Sequence, residues 1–317
     1  VDTEPFPLSK IILPGGAGLV GHNLVAHLKR NGCKNLVVLD KHRSNLETLK
    51  QLHSDISVEY ADLARDGSWK RHFENAGTVV MLQAQIGGPT LEPFIRNNID
   101  STRRILDAIE HYKVPYTVHI SSSVVASVAD DHYTRTKREQ EKVVLESGIP
   151  CVVLRPTLMF GWFDRKHLGW LSRFMHRTPI FPIPGHGRYM RQPLYTGDFC
   201  KIIMRCMQDR IQGKVFNISG LDRIDYIDLI RLIKKCIDSN CLIVKIPYHF
   251  FYGLLKTWAL FDSNPPFTAD QLKALTAGDE FERTDWPTLF NIKATPLPEA
   301  IHETFNDPIY SKVALEF

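Results

Sequence analysis

The run Pro14-Gly15-Gly16-Ala17-Gly18-Leu19-Val20-Gly21 constrains this chain more than any other stretch. It follows an apolar run, Ile11-Ile12-Leu13, and opens a segment, 22–30, with the pattern of a helix. Strand, glycine-packed turn and helix start together make a seat for an anion. The first amides of a helix have no intrahelical partner, and the dipole at that end favours negative charge. Glycines let the backbone turn with positive φ and let a phosphate come close to it. The spacing Gly16-x-Gly18-x-x-Gly21 is that of a dinucleotide fingerprint, with Gly15-x-x-Gly18-x-x-Gly21 superimposed on it. Alone, it is also compatible with an ordinary glycine-rich turn, so its surroundings decide.

Those surroundings fit. Leu36-Val37-Val38-Leu39-Asp40 is a second short apolar strand ending in an acid. Asp40 falls roughly 20 residues beyond Gly21, where a ribose-binding carboxylate belongs. Such a carboxylate accepts hydrogen bonds from both ribose hydroxyls and repels a 2′-phosphate, which points to NAD rather than NADP. Lys41, His42 and Arg43 follow at once and could neutralise such a phosphate.

Further strands are expected at 57–61, 78–82, 116–120 and 150–155, with helices at 91–112 and 133–147 between them. Short apolar strands at crossover spacing read as a parallel sheet covered on both faces. The fold class is therefore α/β, a Rossmann-like doubly wound parallel sheet with a smaller discontinuous C-terminal substrate lobe. Residues 1–161 form the nucleotide-binding domain, completed by about 192–220, with a helix at 198–208 and a strand at 214–218. The lobe takes 162–191 and 221–317, with helices expected at 168–175, 228–239, 268–277 and 297–305. The 317 residues suffice for both units.

The net charge of +4, from 39 basic and 35 acidic residues, gives no footprint for nucleic acid. The six cysteines form no CxxC pair and no zinc-like spacing with histidine, so no metal is expected. Free thiols in apolar runs suit a reducing, cytoplasmic compartment. The first ten residues are polar and proline-broken, unlike a signal peptide. The segment 246–261 is unusually apolar but too short to span a membrane. It reads as a core helix of the lobe, or as a surface that lines an apolar substrate cleft or touches a membrane.

Chemistry is suggested by Tyr133-Thr134-Arg135-Thr136-Lys137. Residues four apart share a helix face, so Tyr133 and Lys137 can act together, with Glu141 on the same stripe and Asp130 or Asp131 as cap. A tyrosine near pKa 10 is a poor base at neutral pH, and a nearby ammonium favours the phenolate. Tyr133 could then take a proton from a hydroxyl as hydride leaves the carbon. Ser121-Ser122-Ser123 ends the fifth strand, where a hydroxyl could polarise the substrate oxygen. His119 reads as a satisfied sheet histidine. Asp198 reads as a helix cap that positions the preceding loop.

Taken together, these motifs resemble the extended, NAD-dependent epimerase/dehydratase branch of the short-chain dehydrogenase/reductases. Gly15 to Gly21 is similar to its GxxGxxG, Tyr133-x-x-x-Lys137-x-x-x-Glu141 to its YxxxKxxxE, and Ile120-Ser121-Ser122-Ser123 to its serine motif. Leu154 to Gly161 and Gly187 to Asp198 resemble its RPxxxYG and arginine-bearing segments. The resemblance implies Ser123, Tyr133 and Lys137 as catalytic residues, with Ser122, Ser123 and Arg191 on the substrate. It implies Gly15, Gly16, Gly18, Leu19, Val20, Gly21, Asp40, Asp62, Leu63, Gln83, Ala84, Asn98, Ser121, Tyr133 and Lys137 around NAD. A nucleotide-sugar substrate and a homodimer are also implied.

Three departures bear on the substrate. The V-Y-G after the serines reads Val124-Val125-Ala126, the link from Ser123 to Tyr133 is short, and Pro14 replaces a threonine. A dehydratase of this family carries an Asp-Glu pair where Val124-Val125 stand. The expected function is an epimerase of a nucleotide-sugar. A dehydrogenase or reductase of a sugar, lipid or steroid-like substrate is the second reading. The C-terminal part also resembles an atypical branch that includes a silent nucleotide-binding subunit of respiratory complex I, the third reading.

Overall fold

The computed structural model describes residues 9–258, 261, 272, 273, 275, 276 and 284–316. Six apolar runs form parallel strands: β1 (Lys10–Pro14), β2 (Leu36–Asp40), β3 (Ser57–Tyr60), β4 (Ala76–Met81), β5 (Thr117–Ile120) and β6 (Cys151–Pro156). Four short strands follow, β7 (Met159–Phe160), β8 (Ile180–Pro184), β9 (Met190–Arg191) and β10 (Leu194–Tyr195). Then come β11 (Lys214–Ile218), β12 (Ile224–Asp225) and β13 (Leu242–Ile246). The main sheet has seven strands in the order β11-β6-β5-β4-β1-β2-β3, all pairs parallel. The winding reverses between β1 and β4, which opens a crevice at their C-terminal ends.

Side-chain alternation splits the core into two layers. Ile11, Leu13, Val38, Val118, Ile120, Val152 and Leu154 face one cluster, with α1 (Leu19–Arg30) and α7 (Thr196–Asp209) packed on it. Ile12, Val37, Leu39, Val79 and Met81 face the other, covered by α4 (Ser101–His111) and α5 (His132–Glu146). Burial on both faces explains why these strands are continuously apolar rather than alternating.

A helix, α2 (Arg43–Leu52), links β2 to β3 and buries Leu46 and Leu49 on one side. One element departs from expectation. The expected helix 91–112 is interrupted: α3 (Glu92–Phe94) leads into a π-helical turn, Ile95–Asp100, before α4. That turn swings Asn98 inward, where its Oδ1 accepts from the Gln85 amide at 2.6 Å and its Nδ2 donates to Thr136 Oγ1 at 3.0 Å. Those tertiary bonds hold the wider turn open.

The second lobe gathers α6 (Leu168–Arg177), α8 (Tyr226–Cys236), the helix Leu297–Asn306 and the parallel pair β8–β13 around Phe181, Ile183, Ile230 and Ile301. Trp286 and Phe290 join the core of the main sheet. Trp162 and Phe163 pack with Tyr310 and Leu315 against Ala26 of α1. Asp198 is not a cap: it lies in the first turn of α7 and accepts from the Thr295 amide at 2.8 Å and Thr295 Oγ1 at 2.7 Å. Within the apolar segment, no residue of 248–257 is buried, so it is not the core helix expected there. It forms α9 (Tyr248–Trp258). The expected helix 268–277 lies mostly outside the described residues.

Candidate functional site

The glycine loop spans the end of β1 and the start of α1. Gly15 turns at φ +76°, and a Cβ there would meet the Gln83 amide nitrogen at 2.3 Å. A Cβ on Gly21 would lie 2.1 Å from the Gly16 carbonyl oxygen. Those two glycines bring loop, β4 end and helix into contact. Around Gly18 the nearest atom to an added Cβ is 3.7 Å away. The first α1 bond runs from the His22 amide to the Gly18 oxygen at 3.0 Å, so the amides of Leu19, Val20 and Gly21 precede the helical ladder. No acidic side chain occupies that first turn. An open, carboxylate-free helix N-terminus fits the pyrophosphate of NAD.

Asp40 closes the second strand over this loop. Its Oδ2 accepts from the Ala17 amide and its Oδ1 from the His42 amide, both at 3.0 Å. The basic residues after it are engaged elsewhere. Lys41 Nζ donates to Asn97 Oδ1 at 2.7 Å, and the Arg43 guanidinium lies 3.9 Å over the Tyr60 ring. Neither position needs a 2′-phosphate, in keeping with NAD. Asp62 is held by Arg96 and Arg65, and Leu63 next to it is buried. Arg96 was not singled out from sequence, because its partner is distant in the chain. Gln83 is buried and Ala84 is exposed beside Gly15.

At the other end of the crevice, β5 stops at Ile120 and the three serines diverge. Ser121 Oγ donates to Glu141 Oε2 at 2.5 Å. Ser122 caps a 3-10 turn, Ser123–Ala126, that begins with half-buried Ser123. Burial pushes the Tyr133 phenol above its usual pKa, while hydrogen bonding with the Ser122 hydroxyl pulls it down. Asp131 caps α5, accepting from the Thr134 amide at 2.9 Å.

Lys137 is fully buried under β5. Its Nζ donates to the Ile120 oxygen at 3.1 Å and to Gln140 Oε1 at 2.6 Å. Gln140 in turn donates to Thr102 Oγ1 at 2.9 Å. Burial lowers the Lys137 pKa to about 7, against the opposing pull of Glu141. Those bonds tie the Lys137 head group to the end of β5 and to Gln140. Glu141 forms a bidentate pair with Arg155 of β6. His119 is buried with neither ring nitrogen partnered, contrary to the satisfied histidine expected. Burial, and secondarily the charge of Lys137, hold it neutral.

Arg191 sits on β9, paired antiparallel with Ile224 of β12. Its charge acts on Tyr226, whose phenol burial otherwise raises, and on His167, which burial keeps below its usual pKa. His167 is placed by Asp164, whose Oδ1 accepts from the amides of Lys166 and His167 at 3.0 and 2.9 Å. Asp164 was missed by sequence reasoning; its signal was only a carboxylate opening a turn.

Comparison with known proteins agrees with this arrangement. The model of the NAD dependent epimerase/dehydratase family matches residues 11–219. The Escherichia coli dTDP-glucose 4,6-dehydratase is 21% identical over 280 residues, covering 73% of this chain and 77% of its own. The Caulobacter vibrioides ceramide reductase is 22% identical over 300 residues, covering 93% and 90%. The Bacillus cereus UDP-glucuronic acid 4-epimerase, solved in complex with NAD, superposes with a TM-score of 0.68 at 20% identity, covering 96% of this chain and 98% of that one. With its doubly wound sheet, glycine loop and Tyr133–Lys137 helix, the chain belongs to the NAD-dependent epimerase/dehydratase family, as an NAD-dependent enzyme.

Proposed function

We propose that this enzyme inverts a hydroxyl-bearing carbon of a nucleotide-sugar by transient hydride transfer, with Tyr133 as acid and base. The observation that carries this reading is that α5, with Tyr133 and Lys137 on one face, is tied through Lys137 to the C-terminal end of β5, the edge that also carries the glycine loop. Bound NAD supplies the hydride acceptor and donor. Tyr133 Oη takes the substrate hydroxyl proton and returns it once the carbon is reduced again, so no net proton is consumed. Ser122 Oγ holds the substrate oxygen. Ser123, at the head of the 3-10 turn, contacts the sugar. The amides of Leu19, Val20 and Gly21 hold the pyrophosphate, and Asp40 the ribose. Arg191, backed by the His167 turn, binds the substrate diphosphate with charge-assisted bonds. Val124 and Val125 put apolar groups where elimination would need an acid and a base, which favours epimerisation over dehydration. The same reading includes a cytoplasmic homodimer.

The test is to incubate the purified, NAD-loaded enzyme with UDP- and dTDP-sugars and follow the epimer by NMR. Product without net NADH absorbance is expected, and Tyr133→Phe should bind NAD but not turn over. Wild-type turnover in that variant would remove Tyr133 as the base.

A second reading, net reduction of a keto group on a lipid, is favoured by one observation. The link between the serines and α5 is short and open, with Val128 fully exposed, leaving room for a long substrate. The ceramide reductase alignment, which spans 93% of this chain, points the same way. Stoichiometric NADH oxidation with a long-chain keto lipid, and none with nucleotide-sugars, would select it.

A further inference from the structure

The strand β13 and helix α9 present apolar side chains to solvent. Phe250 is 62% exposed and Leu254 is 48% exposed, one turn apart on one helix face. Phe261, beyond the helix, is exposed as well. Phe251, Tyr252 and Leu255 are half-buried, so the opposite side of α9 is the one turned to the protein. Just before the helix, Leu242 and Ile180 form an exposed register pair across β13 and β8, and Val244 continues that face two residues on. A soluble enzyme rarely leaves such a cluster uncovered.

The charge around it is one-sided. From Ser239 to Phe261 the sequence has no Asp or Glu. Lys245, His249 and Lys256 in that span are all exposed. His249 and Lys256 lie two turns apart on the flank beside Phe250 and Leu254. Exposed aromatic and aliphatic groups beside cations, without carboxylates, match the interfacial zone of an anionic bilayer. A second copy of the same face would bring like charges together. Among the described residues no helix is long and apolar enough to cross a membrane, so contact would lie in the plane of the interface.

We propose that α9, with the β8–β13 edge, docks this enzyme on an anionic lipid surface. Phe250 and Leu254 enter the headgroup boundary while Lys245 and Lys256 meet lipid phosphates. None of Leu242, Lys245, Phe250, Leu254 and Lys256 is among the residues assigned to catalysis or coenzyme, so the docking is independent of which substrate that site takes.

The experiment is co-sedimentation of the full chain with phosphatidylcholine vesicles, with and without about one-third phosphatidylglycerol. Binding to the anionic vesicles is expected, weakening with added salt. The double substitution Phe250→Ser and Leu254→Ser should lower partitioning roughly tenfold or more, with hydride transfer in vesicle-free buffer unchanged. Lys245→Glu with Lys256→Glu should abolish the preference for anionic lipid. Equal sedimentation with and without vesicles, or undiminished binding by the serine variant, would overturn the proposal. So would competition by inorganic phosphate at unchanged ionic strength. A wild-type dimer that the serine variant dissociates would assign the face to a second copy instead.

Discussion

At the scale of single residues, the decisive feature is which serine meets Tyr133. Three consecutive serines leave sequence with no means to choose, because the strand ends at Ile120 and the chain enters a 3-10 turn. Glu141 claims Ser121, and the Ser122 hydroxyl is near enough to the Tyr133 phenol to oppose the rise of its pKa. Ser122→Ala should therefore lower kcat about a hundredfold with little change in KM, whereas Ser123→Ala should cost much less; steady-state kinetics on both variants separates them. Lys137 carries a second consequence. Unfolded, it keeps its proton to pH 10.5; folded, only to about pH 7. Between those values the unfolded chain binds more protons, so stability rises with pH by up to about 1.4 kcal/mol per unit. Below about pH 7 the lysine is protonated in both states and its slope vanishes. Lys137→Met should flatten the urea-unfolding profile between pH 7 and 10, while an unchanged profile would mean another group sets the slope.

At the scale of elements, α5 is the piece that assembles the site. Asp131 starts it, Tyr133 and Lys137 lie on one face, and Glu141 ties it to β5 through Ser121 and to β6 through Arg155. Glu141 is almost wholly buried and Arg155 only partly, so Glu141→Gln should destabilise by about 3 kcal/mol, at the low end for a broken buried pair. Replacing both residues by leucine should recover much of that loss in a denaturant titration. The stripe Tyr133, Lys137 and Glu141 was legible because it depends only on helical period, and the strands because both their faces are buried. The glycine loop was legible for a similar reason: Gly21 answers a local contact with Gly16, although the Gly15 contact with Gln83 is tertiary. The π-helical turn was not, since it exists to bring Asn98 to the Gln85 backbone and Thr136, partners set by tertiary structure. The bonding of Lys137 to the Ile120 oxygen and, through Gln140, its link to Thr102 was hidden likewise.

At the scale of the whole molecule, the two lobes are not consecutive blocks. The stretch around Tyr310 returns to the nucleotide domain and packs on the outer side of α1. Its ring lies 4.8 Å from that of Trp162 and 5.4 Å from that of Phe163, with the Arg30 guanidinium 5.4 Å from its centroid. Beyond it, the Asn45 side chain bonds the Glu316 backbone through Nδ2 and Oδ1 at 2.9 Å each. Composition carries no mark of such a contact, because it joins residues far apart in sequence. The contact matters for function because α1 also presents its first-turn amides to the pyrophosphate seat. Loosening its outer face should blunt that seat. Tyr310→Ala removes a buried ring and should cost about 3 kcal/mol of stability. Ile301→Ala, a cavity of similar cost inside the second lobe, is the matched control. Calorimetric titration with NAD well below both melting temperatures should show affinity reduced several-fold in Tyr310→Ala and near wild type in Ile301→Ala. Equal weakening in both would mean that global stability, not the footing of α1, governs coenzyme binding.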